Sequence, residues 1–423
     1  MATKHWEGKA AAVAQVSKAQ ITTYDGAGTY TVTIGGVSHS EAADTDANTT
    51  IDNIVAALNL LTHPYFAAIT WGEAGTDELQ GTADTAGVPF TFTVSATGGT
   101  AAWGAVSDTT ANVSPNDWSN ADNWSDAAVP VNGDTVLIKD TDVSISWGID
   151  QNAIDLAALT VDQSFTGSIG LRSSAFATSS DGLTVDSDAT EYRDHYLKIG
   201  ADDIEIGGHV GPGSPSGSTR IKIHNNEAGA SNTIIHNSAS AGEGTKPAIM
   251  LLNDNASGNI DVRAAPGGFG VAVDAPGETS TIGTLDVSQA GNSARVFIGG
   301  GTVFSTFEQR GGLNVVDVSG ATNPVLTVHD GTLTIEGGII IGTLSIYNAA
   351  TVTDNHDVSS GAHITTLNVD GPTCELDWSK AGHARTVTTG NWNGGTIVAD
   401  WDDITFTTLN LGERIKEIEV RAI

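Results

Sequence analysis

The sequence predicts a mainly β protein in which a small N-terminal α+β module precedes a right-handed parallel β-helix, also called a β-solenoid. The first observation is composition: 423 residues include 50 Gly, and Lys and Arg total only 18. Such chains favour short strands and tight turns over helices. The second is periodicity. Apolar-polar-apolar triplets recur, and the spacings from Leu159 to Leu183 and from Leu344 to Leu367 suit one coil of a β-helix.

The composition and periodicity divide the chain into five predicted segments. They are an N-terminal anchoring arm (1–19), a β-β-α-β-β module (20–96), a linker rich in Gly, Thr and Ser (97–115), a capped parallel β-helix (116–410) and a C-terminal closing segment (411–423).

The module is predicted from one helical and several alternating stretches. Residues 29–34, TYTVTI, alternate as a half-buried strand and end at a Gly-Gly turn. Apolar residues between Ile51 and Leu61 fall at helical spacing, with Thr49 or Thr50 as N-cap and Pro64 as the stop. Further strands are expected near 69–71, 79–83 and 88–94, which together make a small α+β sandwich.

The triplets beyond residue 115 leave two architectures open. A sandwich or barrel with strands every 8 to 12 residues is one. A solenoid, in which each coil stacks its inward residues on the next, is the other. The solenoid is favoured because the triplets, which continue as far as Leu409-Asn-Leu411, run too long for a single sandwich.

The charge and the cysteine content exclude several classes of function. With 50 Asp and Glu the formal net charge is −32, so a nucleic-acid backbone would be repelled. Cys374 is the only cysteine, which rules out an intrachain disulfide. The start of the chain lacks the apolar run of a secretion signal, and no segment is apolar enough to span a membrane. The expectation is a protein made in a cytoplasm, without nucleic-acid or membrane partners.

The stretch from Asn116 to Ile138, NDWSNADNWSDAAVPVNGDTVLI, allows two interpretations. Trp118 and Trp124 could form a sugar-binding platform, or they could cover the open apolar end of the first coil. The second is preferred, with Pro130, Gly133 and Asp134 turning the chain into its first strand. Trp124→Ala would then lower stability rather than abolish glycan binding.

Three stretches of the chain resemble, in order, structural proteins of tailed-bacteriophage virions. They are MATKHWEGKAAAVAQV, the β-β-α-β-β unit with TADTAGVPFTFTV, and NDWSNADNWSDAAVPVNGDTVLI, which cover about the first 170 residues. The resemblance implies a capsid decoration, head-fibre or tail-associated fibre protein on the virion surface. Its partners would be the major capsid protein or other virion proteins, and it implies no catalytic residue or cofactor.

Association into a homotrimer is expected, because exposed coil edges otherwise invite aggregation.

Two other functions stay open. A carbohydrate-binding or carbohydrate-cleaving tailspike, similar to a polysaccharide lyase or hydrolase, would contact a host surface glycan, with Trp378, Trp392 and Trp401 as candidate stacking residues. It requires a cluster of carboxylates with a Lys, Arg or His along the helix, because glycoside hydrolysis uses paired carboxyl groups. A bacterial surface adhesin is the other, and the absence of an export signal disfavours it.

One weak calcium candidate is present. Asp44, Asp46 and Asn48 open a D-x-D-x-N pattern, and Asp52 follows. The sixth position is Thr49 rather than Gly, and the twelfth is Val55 rather than Glu. Because a calcium loop needs that turn and that bidentate ligand, the expectation is turn and helix-cap duty, with no bound metal.

Overall fold

The computed structural model describes residues 2–170, 176–178, 184–186, 196–207, 220–236, 247–263, 268–273, 279–288, 294–355, 363–379, 384–399 and 404–412. They form two compact units. The module unit is Gly8–Ala128, and the solenoid unit combines Met1–Glu7 with the chain from Val129 onward.

The module unit contains two antiparallel sheets and two helices. One sheet has the order β4-β3-β7, and the other is β5-β6-β2-β8 with β9 also paired to β2. Their bounds are β2 Val16–Thr23, β3 Thr29–Ile34, β4 Val37–Ala42, α1 Ala47–Leu58, α2 Pro64–Ala67, β5 Ile69–Gly75, β6 Glu78–Ala83, β7 Thr93–Thr97, β8 Ala102–Trp103 and β9 Ser107–Thr110.

The helix α1 forms where the helical spacing predicted it. Ile51, Ile54 and Leu58 are buried in the module core. The cap differs from the prediction, because the carboxylate of Asp46 accepts the Thr49 N–H at 2.8 Å. Asp46 lies about one turn before the predicted caps, Thr49 and Thr50. Because its carboxylate satisfies the Thr49 N–H, the helix begins earlier than predicted.

The predicted arm and linker are both wrong as independent segments. Residues 16–19 belong to β2, which pairs with β6 on one side and with β8 and β9 on the other. The strand was missed because its buried residues, such as Ser17 and Ala19, are small. The linker residues form β8 and β9, and the Trp103 ring packs edge-on against Tyr30 at 5.8 Å.

The solenoid unit is a 22-stranded sheet over the described residues, and its strand pairs are parallel. The early strands are β1 Thr3–His5, β10 Thr135–Ile138, β11 Asp150–Val161, β14 Leu197–Ile206, β15 Ile221–Asn225, β16 Ser231–Ile235, β17 Ile249–Asn253, β18 Gly258–Val262, β19 Gly268–Val273, β21 Thr284–Val287 and β22 Ala294–Ile298. The later strands are β24 Thr306–Gln309, β25 Leu313–Asp317, β26 Val325–Val328, β27 Thr332–Glu336, β28 Ile341–Tyr347, β29 Thr351–Asp354, β30 Ile364–Asp370, β31 Glu375–Trp378, β32 Arg385–Trp392, β33 Thr396–Ala399 and β34 Ile404–Leu411.

Two short pairs lie outside this sheet. β12 Phe176–Thr178 pairs with β13 Thr184–Asp186, and β20 Ser280–Thr281 pairs with β23 Thr302–Val303.

The main sheet winds as two parallel ladders, which confirms the predicted solenoid. Ladder A runs β1, β10, β11, β14, β16, β18, β21, β24, β26, β28, β30, β32, β34. Ladder B runs β14, β15, β17, β19, β22, β25, β27, β29, β31, β33.

The triplets form the core because alternate residues of a strand point to the same face. In ladder A the first apolar residue of each triplet stacks on the first of the next, as Leu285, Phe307 and Leu326 do. The second inward residue does the same, as Val287 and Val328 do on either side of the buried amide of Gln309. The polar middle residue faces outward, so each triplet adds one layer to a dry core and one side chain to an outer column.

The coil inferred from the spacing of Leu159 and Leu183 is wrong. Leu159 is paired with Ile204 instead, and Val185 lies in the antiparallel hairpin of β12 and β13. A hairpin inserted between two rungs lengthens this coil, and spacing alone does not distinguish an inserted strand from a stacked one. The later pair, Leu344 and Leu367, does stack as predicted.

Ladder A begins with the N-terminal strand and ends, among the described residues, at β34. Thr3 pairs with Thr135 and His5 with Leu137. At the other end Leu409 and Leu411 are 37% and 50% exposed. The predicted closing segment lies outside the described residues from residue 413 on.

Candidate functional site

Trp118 and Trp124 are structural residues of the module unit. Both side chains are 0% exposed, and their rings meet edge to face at 4.7 Å. The Trp124 Nε1–H donates to the Trp118 carbonyl at 2.8 Å. Between them the buried Asn123 amide donates to the Ser114 carbonyl at 2.8 Å. A sugar must lie flat on an exposed ring, so this pair offers no platform.

Within the solenoid unit, the edge of the first rung, β10, is paired with β1. The free edge of β10 requires backbone partners, which only a strand supplies. Trp6 follows β1, is 2% exposed and donates its Nε1–H to the Val143 carbonyl at 2.9 Å. Sequence analysis missed it because a single tryptophan near the start gives no periodic signal.

The predicted turn residues do lead into β10. Pro130 is buried, and Gly133 has a φ of 81°, which favours glycine. The Asp134 carboxylate accepts the Ala2 N–H at 2.8 Å and the Val131 N–H at 3.2 Å. The Ala2 bond is the main reason that the pKa of Asp134 lies below its usual value. Asp134 therefore fastens the start of the chain to the first turn.

The predicted glycan-stacking tryptophans do not present a ring to solvent where the structure describes them. Trp378 is 3% exposed, and its Nε1–H donates to the Asp354 carboxylate at 2.7 Å. Trp392 is 5% exposed and stacks in the core above Val369. Trp401 lies outside the described residues.

The four calcium candidates have other contacts. Asp44 accepts from the Asn53 amide at 2.9 Å, and Asp46 caps α1. Asn48 accepts the Asp77 N–H at 3.5 Å, and the hydrogen bond that the protonated Glu73 carboxyl donates to Asp52 is the main cause that raises the pKa of Glu73. Within the described ranges no group of three His, Cys, Asp or Glu could hold a metal ion.

A charged strip lies on the outer column of ladder A; we define it as Asp261, Asp286, Glu308, Arg263, Arg310 and His329. Asp261, Asp286 and Glu308 are direct partners on consecutive rungs. Arg310 contacts Glu308 and lies 3.8 Å from Asp286. Because neighbouring rungs are ~4.8 Å apart, adjacent carboxyl groups are close together and the outer two are ~10 Å apart.

The electrostatics of the strip centre on Asp286. Burial raises its pKa, Arg310 opposes the rise, and Glu308 and Asp261 add to it. His329 lies 3.2 Å from Glu308, and Arg263 lies 2.7 Å from Asp261. A carboxyl group whose pKa is raised, beside other carboxylates and next to Arg and His, can donate and accept a proton.

The triplets Ile260-Asp-Val262 and Leu285-Asp-Val287 belong to the periodic pattern that predicts the solenoid, but the pattern alone does not join them into a site. The signal was an acidic middle residue in successive triplets with a basic residue just after some of them, as in Val262-Arg263. The charged strip could be recognised only from the strand register, which places Glu308 beside Asp286 on the next rung.

A polar groove lies further along the same ladder, between β28 and β34. It has a volume of ≈ 430 Å³ and is lined by Tyr347, Asn368, Asp370, Asn391, Trp392, Asn393, Asn410, Leu411 and Gly412.

Comparisons with protein-family models, with curated proteins and with solved structures find no match for this chain. Among the described residues no helix is long and apolar enough to cross a membrane.

Proposed function

We propose that the protein is a structural component of a tailed-bacteriophage virion, a capsid decoration or head-fibre protein that displays its β-solenoid on the particle surface. The observation that carries the proposal is the pair of continuous parallel ladders around a buried apolar core. A solenoid of this kind can stiffen or extend a surface without catalysing a reaction. A net charge of −32 keeps crowded copies soluble.

Docking to the capsid or to another virion protein is assigned to the module unit. Residues 1–7 pair within the solenoid unit, so they are not available as a free arm. The module unit, Gly8–Ala128, takes over the anchoring role that the resemblance implied for the N-terminal region. Association into a homotrimer is part of the proposal, and sedimentation of the purified protein measures it.

The test is to locate the chain on particles of the phage that encodes it. A C-terminal epitope tag should label purified virions. A chain in which a flexible linker replaces residues 8–128, so that β1 is kept, should fail to bind particles that lack the protein. Full-length tagged protein added to the same particles is the matched control. Tagged protein that is absent from purified virions defeats the proposal.

Polysaccharide cleavage is a second candidate, and the charged strip favours it. Retaining glycosidases hold two carboxyl groups about 5 Å apart, and inverting enzymes about 6.5–9.5 Å apart. The rung spacing of ~4.8 Å places Asp286 and Glu308 near the first range. In this role Asp286, with its raised pKa, is the acid, and Glu308, held by Arg310 and His329, is the base or nucleophile.

Release of reducing ends from host surface polysaccharide tests this second function. Turnover should fall by about 100-fold or more in Glu308→Gln and Asp286→Asn, as for the loss of a general acid or base. Asp203→Asn is the control, since Asp203 is an exposed carboxylate on the same ladder. The absence of turnover by the wild-type protein, or equal turnover by all four proteins, removes the second candidate.

A further inference from the structure

The groove between β28 and β34 is lined by a column of side-chain amides. Asn410 donates to Asn391 at 2.8 Å, Asn391 donates to Asn368 at 2.8 Å, and Asn368 donates to the Ser345 hydroxyl at 2.9 Å. Each amide carries two N–H groups and a carbonyl oxygen with two lone pairs, so the column uses only part of its capacity. The remaining donors and acceptors repeat every rung, ~4.8 Å apart.

A second outer column forms the other side of the groove. Tyr347 and Asp370 are direct partners on β28 and β30, and Asn393 follows β32. His329 stacks on one face of the Tyr347 ring, with centroids 5.2 Å apart and planes at 18°. Tyr347 also lines the groove, so its aromatic ring borders the same space as Asp370. An aromatic face, a carboxylate acceptor and amides converge on one space.

The lining indicates the chemistry of the ligand. Most of the lining side chains carry an amide, hydroxyl or carboxylate group, and Trp392 and Leu411 are apolar, so the groove suits a ligand that has both polar and apolar surface. Asp370 and the net charge of −32 oppose a polyanion. Repeated amide groups form hydrogen bonds with hydroxyl groups, which both donate and accept. An aromatic side chain packs against the C–H face of a sugar ring.

We infer that this groove binds an uncharged oligosaccharide lying along the solenoid, with one sugar against Tyr347 and following sugars hydrogen-bonded to the amide column. The ladder order places the Tyr347 end next to His329 and hence next to the charged strip. The inference depends neither on a virion role nor on cleavage. A binding module and a processive enzyme would both use such a groove.

The probe is a printed array of neutral bacterial surface oligosaccharides, with sialylated and uronic-acid-containing oligosaccharides as its anionic members. The wild-type protein should retain a neutral member. Calorimetric titration with that member should show affinity about tenfold lower for Tyr347→Ala and for Asn391→Ala, because each removes contacts worth about 1.4 kcal/mol.

The matched control is Thr353→Ala, which changes an outward residue of ladder B and should bind as the wild type does. Asp370→Asn is the alternative variant if Asn391→Ala lowers the melting temperature. Because it keeps the shape of the side chain, it should fold normally and still weaken binding. Three results would overturn the inference. The wild-type protein binds only anionic members of the array, it binds no member, or the wild type and all groove variants bind a neutral member equally well.

Discussion

At the scale of single residues, the free-energy cost of burying Asp286 depends on pH. Because its folded pKa is raised, the folded state binds a proton more readily than the unfolded chain, whose value is near 3.8. Any stabilisation from the bound proton is complete below 3.8 and is lost as pH rises through the folded pKa. The ionised carboxylate then destabilises the folded state at neutral pH.

Asp286→Asn should therefore raise the melting temperature at pH 7 and change it little below pH 3.8. Thermal unfolding across this pH range measures the effect, with Asp203→Asn as the exposed control. A lower melting temperature at pH 7 would contradict the prediction, since it would mean that the ion pair with Arg310 outweighs the cost of burial.

Trp124 is a second residue whose role can be measured. Trp124→Ala should lower the free energy of unfolding of the module unit by about 3 kcal/mol, because it removes a fully buried aromatic ring and opens a cavity. Denaturant unfolding measures this, and Trp124→Phe, which keeps a ring but loses the bond to the Trp118 carbonyl, should cost less. Unchanged stability with lost glycan binding would restore the platform interpretation.

At the scale of elements, sequence predicted which residues form rungs better than which rungs are neighbours. A triplet is a local pattern, and alternation alone fixes which side chains point inward. The coil length varies from Leu326–Leu344 to Leu159–Ile204, because loops and a hairpin are inserted between rungs. The charged strip and the amide column depend on that register, so neither could be assembled from spacing.

The strand β1 supplies an element-scale prediction. Deleting residues 1–7 should expose the edge of β10 and give concentration-dependent association, because an open strand edge pairs with other chains. Asp134→Ala should act in the same direction more weakly, costing about 1–2 kcal/mol for the lost bond to Ala2. Size-exclusion chromatography over a concentration series measures both, and a truncated chain with the same oligomeric state and stability as the full-length protein contradicts the prediction.

At the scale of the whole molecule, the charge of −32 should make stability depend on salt. Raising ionic strength from 0.01 to 0.15 M shortens the screening length from about 30 Å to about 8 Å, which weakens self-repulsion in the folded state. The melting temperature should rise by about 2 °C or more. Sodium and potassium chloride should act alike, and an effect confined to one cation would indicate ion binding instead.

The pairing of β1 with β10 must also wait during synthesis of the chain. The strand Thr3–His5 leaves the ribosome long before its partner, Thr135–Ile138, and the whole module unit is made between them. At translation rates of about 5–20 residues per second, the delay is on the order of ten seconds. The module can complete its own contacts during that wait. The first strand of the chain can thus join the solenoid only after the residues of the module unit have been synthesised.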